Sequence, residues 1–140
     1  LYREQGRHWA DVDVIGLSYY PMWQGSLTDL EATLRGLADN YPDKDVWLVE
    51  TAYYWSPNEA GFSGPQTPWP QNPEGQLAYM RALSATLGKY EQVKALFYWG
   101  AAWSQSQRWL KAPAWSNDDA SRRALFDDQA RATPALSQRR

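Results

Sequence analysis

Three short apolar runs separated by two amphipathic stretches constrain this chain more than any other feature. Val12 to Tyr20 is apolar and β-branched and closes at Pro21, which cannot donate to a ladder. Val46 to Glu50 is the second run, and Ala95 to Trp99, ended by Gly100, is the third. Between the first two, Leu27, Leu30, Leu34, Leu37 and Tyr41 recur at spacings of three and four, one face of a helix ending before Pro42. Ser26 stands as its N-cap, with Asp29 in the capping-box position. A Pro-, Gly- and Asn-rich loop, Ser56 to Gln71, leads to Asn72-Pro73-Glu74, which opens a second helix with proline in its first turn. Leu77, Met80, Leu83, Leu87 and Tyr90 run down that helix, and Gly88 lies near its end. The order is β-α-β-α-β. Strands apolar on both faces, joined by helical crossovers, predict an α/β fold with a parallel sheet covered by helices. The two architectures of that kind are an open doubly wound sheet and a (β/α)8 barrel. No G-x-G-x-x-G follows any strand, which disfavours the dinucleotide-binding form of the first.

In both architectures function collects at the carboxyl ends of the strands. Here those ends are Tyr19-Tyr20-Pro21, Glu50-Thr51-Ala52-Tyr53 and Tyr98-Trp99-Gly100. Glu50 is the carboxylate among them, and it opens directly into the aromatic loop Tyr53-Tyr54-Trp55. A barrel enzyme keeps catalytic groups at such a position, and aromatic faces suit a sugar ring, whose axial C–H bonds pack on π surfaces. Capping or an ion pair is the ordinary alternative for a strand-end carboxylate. Composition bears on the choice: nine Trp and nine Tyr stand against three Phe. A core alone would draw more on Phe, because Trp and Tyr carry a polar group that needs a partner. The imbalance therefore fits an aromatic-lined cleft, with a core built on Trp and Tyr as the other explanation. The strand ends together favour the barrel.

Several function classes drop out. At 140 residues the chain makes one domain. A net charge of −2 with no basic run leaves no electrostatic footprint for nucleic acid. The absence of cysteine excludes a disulfide framework, a zinc–thiolate site and a cysteine nucleophile. No apolar stretch approaches the ~18 residues of a membrane helix. Leu1-Tyr2-Arg3-Glu4-Gln5 lacks the initial Met and apolar core of a signal peptide, and reads as the middle of a longer chain.

Five strings follow one another in a telling order: Asp13-Val14-Ile15-Gly16-Leu17-Ser18-Tyr19-Tyr20-Pro21, Val49-Glu50-Thr51-Ala52-Tyr53, Pro73-Glu74-Gly75-Gln76, Phe97-Tyr98-Trp99 and Ala124-Leu125-Phe126-Asp127. From about Asp11 to about Leu136 the chain resembles the C-terminal half of glycoside hydrolase family 53, the arabinogalactan endo-β-1,4-galactanases. The resemblance implies a (β/α)8 TIM barrel of retaining glycosidases, with the nucleophile ending strand seven and the acid/base ending strand four. It makes the three runs strands six to eight and Glu50 the nucleophile. It implies that Tyr20 stabilises the nucleophile carboxylate and that Trp99 forms a platform under the sugar at the cleavage site. Trp55 and Trp103, in the following loops, are candidates to stack further sugar units, with Tyr53 and Trp23 beside them. Trp47, inside a strand, is expected in the core. The implied substrate is β-1,4-galactan, met outside the cell or in the periplasm, and no cofactor is assigned. Some bacterial relatives hold calcium near strands seven and eight. Asn117, Asp118 and Asp119 offer hard oxygen ligands, but they equally suit a helix N-terminus, so no metal is carried over. His8 is expected at the surface. Two departures from the family pattern stand out: Gln24 where His is usual, and Gly100-Ala101 where Glu-Pro is usual.

A retaining enzyme needs a second carboxyl group ~5–5.5 Å from its nucleophile. In the family it lies in an Asn-Glu pair on strand four, upstream of anything in this sequence. Glu74 opens a helix, where a carboxylate favours the dipole; Glu59 lies in a loop, and Glu4 and Glu31 read as solvated charges. A full barrel takes ~250 residues, more than the 140 present. The expectation is therefore one incomplete catalytic domain over residues 1–140, inactive alone and completed by the N-terminal half of the barrel. A non-catalytic carbohydrate-binding fragment, or a related barrel glycosidase acting on another β-linked polysaccharide, are the alternatives.

Overall fold

In a computed structural model, residues 12–57, 67–103 and 121–136 are described. They form β1 (Val14–Ser18), α1 (Leu27–Asn40), β2 (Asp45–Thr51), α2 (Pro73–Leu87) and β3 (Val93–Tyr98), in the expected order. The strands pair in parallel in the order β1-β2-β3, each joined to the next by a helical crossover. β1 is shorter than its apolar run, and β3 begins two residues earlier than expected and ends before Trp99.

Both helices start where local chemistry places them. The Ser26 hydroxyl accepts the Asp29 N–H at 3.3 Å, and the Asp29 carboxylate accepts the Ser26 N–H at 2.7 Å, a complete capping box. Leu30 and Leu34 are buried, with Leu27 and Leu37 packed beside them. At α2, Asn72 Oδ1 accepts the Gly75 N–H at 2.7 Å and Pro73 fills the first turn. Gly75 is required here, because a Cβ would lie 1.8 Å from the Pro70 carbonyl oxygen. The buried stripe of α2 differs from the expected one. It runs through Gln76, Tyr79, Leu83, Thr86 and Leu87, while Leu77 and Met80 are half-buried. Tyr79 sets that rotation by sharing a 2.6 Å hydrogen bond with Thr51 of β2.

Val46, Leu48, Leu17 and Leu96 meet Leu30, Leu34, Tyr79 and Leu83 in one core. The opposite sheet face carries Gly16, Ser18, Trp47, Val49 and Phe97, all exposed. Trp47 therefore corrects the expectation of a core residue. It is 36% exposed, with its ring 5.9 Å from that of Phe97. The cause is strand alternation: side chains of one parity face the helices, and those of the other face away from them. In a closed barrel that second face turns inward onto the remaining strands.

The tail following the third loop folds back over the strand ends. Phe126 and Ala132 form an antiparallel bridge, and Ala124 and Leu125 are buried. Leu125 N–H donates to the Ala101 carbonyl at 2.8 Å, and Trp55 N–H to that of Arg122 at 2.9 Å. Gln76 holds this segment from α2. Its amide donates to the Ala124 and Tyr53 carbonyls at 2.9 Å and accepts the Thr133 hydroxyl at 2.7 Å.

Candidate active site

Glu50 owes its direction to an irregularity in β2. Leu17 pairs with Leu48 but Ser18 pairs with Glu50, and on the other edge Leu48 pairs with Leu96 but Thr51 with Tyr98. Both ladders thus place one extra residue in β2 between Leu48 and Thr51, a bulge of the kind that re-aims a side chain. Thr51 returns to the helix side, where it meets Tyr79. Glu50 turns away from that side toward Tyr20, which shares the parity of Gly16 and Ser18.

The Tyr20 hydroxyl donates to Glu50 Oε1 at 2.6 Å. Tyr20 is only 4% exposed. Burial pushes its hydroxyl pKa far above the ordinary tyrosine value. The hydrogen bond to Glu50 and that carboxylate's charge push the same way, against the opposing charge of Arg123. Tyr20 therefore remains a donor, and the pair is a charge-assisted hydrogen bond fixing one carboxylate oxygen. Among the described residues no hydrogen bond is directed at Oε2, which leaves it for a reacting atom.

Aromatic rings surround this pair. Trp23 stands 4.6 Å from the Tyr20 ring and is 47% exposed. Trp99 follows β3, donates its N–H to the Thr51 carbonyl at 2.8 Å and meets the edge of Trp103 at 4.6 Å. Both are half-buried. Trp55 is also half-buried, with its indole N–H spent on the Ser121 carbonyl at 2.8 Å. Tyr53, expected to meet substrate, is 1% exposed. Its ring stacks on Tyr79 at 4.9 Å and its hydroxyl donates to the Trp69 carbonyl and pairs with Thr67. It belongs to the core beneath α2.

The two departures have local explanations. Gln24 Oε1 accepts the Tyr20 N–H at 2.5 Å, closing the turn after β1. Gly100 has φ +66°, and a Cβ there would meet the Trp103 ring at 3.0 Å. Of the remaining acids, Glu74 is exposed at the start of α2 and Glu31 pairs with Lys89 at 2.9 Å. Glu4, His8, Glu59, Asn117, Asp118 and Asp119 lie outside the described residues. Among the described residues no cluster of three metal-ligating side chains occurs, and no helix is long and apolar enough to cross a membrane.

Sequence reasoning missed Arg123. It is 5% exposed, and its guanidinium lies 4.8 Å from the Trp99 ring centroid, 5.3 Å from Trp23, 5.7 Å from Tyr54 and 5.8 Å from Tyr20. The sole local sign is its place beside the apolar Ala124-Leu125.

Comparison with known proteins gives the family. The family model described as glycosyl hydrolase family 53 matches residues 2–138. An arabinogalactan endo-beta-1,4-galactanase of Cellvibrio japonicus is 36% identical over 137 residues, covering 90% of this chain and 34% of that protein. An endo-beta-1,4-galactanase of Bacillus subtilis is 34% identical over 102 residues, covering 67% of this chain and 24% of that protein. The chain thus spans only 24% to 34% of the length of these relatives. Among solved structures, a fungal beta-1,4-galactanase superposes with a TM-score of 0.73 at 23% identity, over 91% of this chain and 37% of that one. A beta-D-glucuronidase of Dictyoglomus thermophilum superposes with a TM-score of 0.59 at 17% identity, over 91% of this chain and 22% of that one, a likeness of fold alone. The β-α-β-α-β unit is thus part of the (β/α)8 barrel of this family.

Proposed function

The chain belongs to glycosyl hydrolase family 53, and from that premise we propose that Glu50 is the nucleophile of a retaining endo-β-1,4-galactanase. The observation that carries the reading is the 2.6 Å bond from Tyr20 to Glu50 at the carboxyl end of β2. With Oε1 held by Tyr20, Oε2 attacks the anomeric carbon of a galactosyl unit as the glycosidic bond breaks. The product is a covalent glycosyl–enzyme. Water then releases the sugar with net retention of configuration. A second carboxyl group, ~5–5.5 Å from Glu50, protonates the leaving oxygen and later activates that water. None of the acids described above stands at a matching strand end, so this group comes from another part of the complete barrel.

In this reading residues 1–140 form part of one catalytic domain, and the face of Trp47, Val49 and Phe97 lies against the barrel's other strands. Trp99 is the platform of the cleavage subsite, Trp23 and Trp103 extend the stacking surface, and Trp55 flanks it. The choice of β-1,4-galactan rests on what the relatives are named for, because one fold serves many substrates. A polymer of this kind is degraded outside the cell or in the periplasm.

The test uses the 140-residue chain and the protein carrying it within a complete barrel. The complete protein releases reducing sugar from galactan, the isolated chain does not, and Glu50→Gln abolishes release. A 2-fluorinated galactosyl fluoride labels the peptide containing Glu50, as read by mass spectrometry. Turnover surviving Glu50→Gln, or label on another residue, overturns the assignment. Galactan binding without turnover by the complete protein would instead support a purely carbohydrate-binding role, which the exposure of Trp23 also suits.

A further inference from the structure

We infer that Arg123 is a positioning residue that clamps the three strand-end loops around Glu50. This inference rests on the reading of Glu50 as nucleophile. Its rings come from three separate places: Tyr20 and Trp23 after β1, Tyr54 after β2 and Trp99 after β3. One side chain from a fourth segment reaches all of them. At 5% exposure it is enclosed by protein and is not itself a contact for substrate.

The backbone beneath it is held independently. The Arg123 carbonyl accepts the Tyr98 hydroxyl at 2.7 Å and the Gln76 amide at 3.3 Å, which fixes the guanidinium's origin relative to β3 and α2. A buried guanidinium is costly unless its charge is compensated, and here π faces supply part of the compensation. Arg suits this place better than Lys. Its delocalised, weakly hydrated plane can lie against several rings at once, whereas an ammonium is a compact point charge. Because Tyr20 is both one of those rings and the donor to Glu50, the orientation of the clamp passes directly into the 2.6 Å bond. The charge also acts on Tyr20, opposing the upward push that burial and Glu50 give its hydroxyl.

The experiment compares Arg123→Met and Arg123→Lys in the complete barrel protein, reading kcat, KM, near-ultraviolet circular dichroism and thermal unfolding. Small misplacements of catalytic geometry cost up to ~10²-fold, so Arg123→Met is expected to lower kcat by roughly 10–100-fold while KM changes less. Arg123→Lys is expected to recover part of that loss. Both variants are expected to weaken the near-ultraviolet aromatic signal. A variant that merely melts earlier, with unchanged kcat per folded molecule, overturns the inference. Should Arg123→Met fail to fold, Arg123→Lys decides: unchanged kcat and aromatic signal overturn the proposal, and a lower kcat with normal melting supports it. Should the wild-type protein not cleave galactan, the functional reading fails separately. The aromatic signal then still decides whether Arg123 orders Tyr20, Trp23 and Trp99.

Discussion

Tyr20 and Glu50, at the ends of neighbouring strands, meet through a single 2.6 Å hydrogen bond. They do so because the bulge in β2 turns Glu50 toward the side on which Tyr20 stands. Without the extra residue, strict alternation would put position 50 on the helix side with Val46 and Leu48. The sheet irregularity and the proposed chemistry are therefore one feature.

Tyr20→Phe should lower kcat with little loss of stability. A hydrogen bond to a charged group contributes ~1.5–3 kcal/mol, and about 1.4 kcal/mol corresponds to a tenfold rate change, so a loss of roughly 10–100-fold is expected. The ring and its contact with Trp23 remain, so KM should move less than kcat. Steady-state kinetics of the complete protein on galactan checks this, and an unchanged kcat would remove Tyr20 from the mechanism.

Alkaline pH should destabilise the protein through its buried tyrosines. Burial raises the hydroxyl pKa of Tyr20, Tyr79 and Tyr98 above the ordinary value, which is ~10 in an unfolded chain. A raised folded-state pKa means the folded form holds its proton more tightly. That stability is fully present below pH ~10 and is lost as pH rises through the folded values. Tm should therefore stay level through pH ~9 and fall above ~10, as scanning calorimetry across that range would record.

The start of each helix was legible because Ser26 and Asn72 act on backbone groups within a turn of themselves. The parallel sheet followed from the same local patterns. What escaped depends on groups far apart in sequence. The bulge needs both neighbouring ladders to reveal it. The stripe of α2 was misread because Gln76 and Thr86 are polar, yet Gln76 satisfies its amide against Tyr53, Ala124 and Thr133. Periodicity of apolar residues cannot register a buried amide. Trp47 looked like core because a strand pattern shows which residues share a face, not what covers that face. Arg123 was invisible because its four rings sit in other loops.

Gln76→Leu should cost several kcal/mol, far more than its near-equal volume suggests. It would strand the Thr133 hydroxyl and the Ala124 carbonyl, and each buried polar group left unpaired costs ~1–3 kcal/mol. The segment from Ser121 to Leu136 should loosen first, taking Arg123 with it. Limited proteolysis should then cut this segment in the variant well before the wild type.

Gly75→Ala tests the approach of α2 to the preceding loop. The new methyl would sit 1.8 Å from the Pro70 carbonyl oxygen, a backbone atom that no rotamer change can remove. Either the first turn of α2 or the Thr67–Pro70 stretch must shift, at a cost of ~1–3 kcal/mol for overpacking. Gly36 supplies the control, because a Cβ there meets nothing within 4 Å and helix propensity favours Ala over Gly by ~1 kcal/mol. Urea unfolding should therefore show Gly75→Ala less stable than wild type and Gly36→Ala no less stable. Equal midpoints for the two variants would mean that the close approach at Gly75 does not constrain the helix.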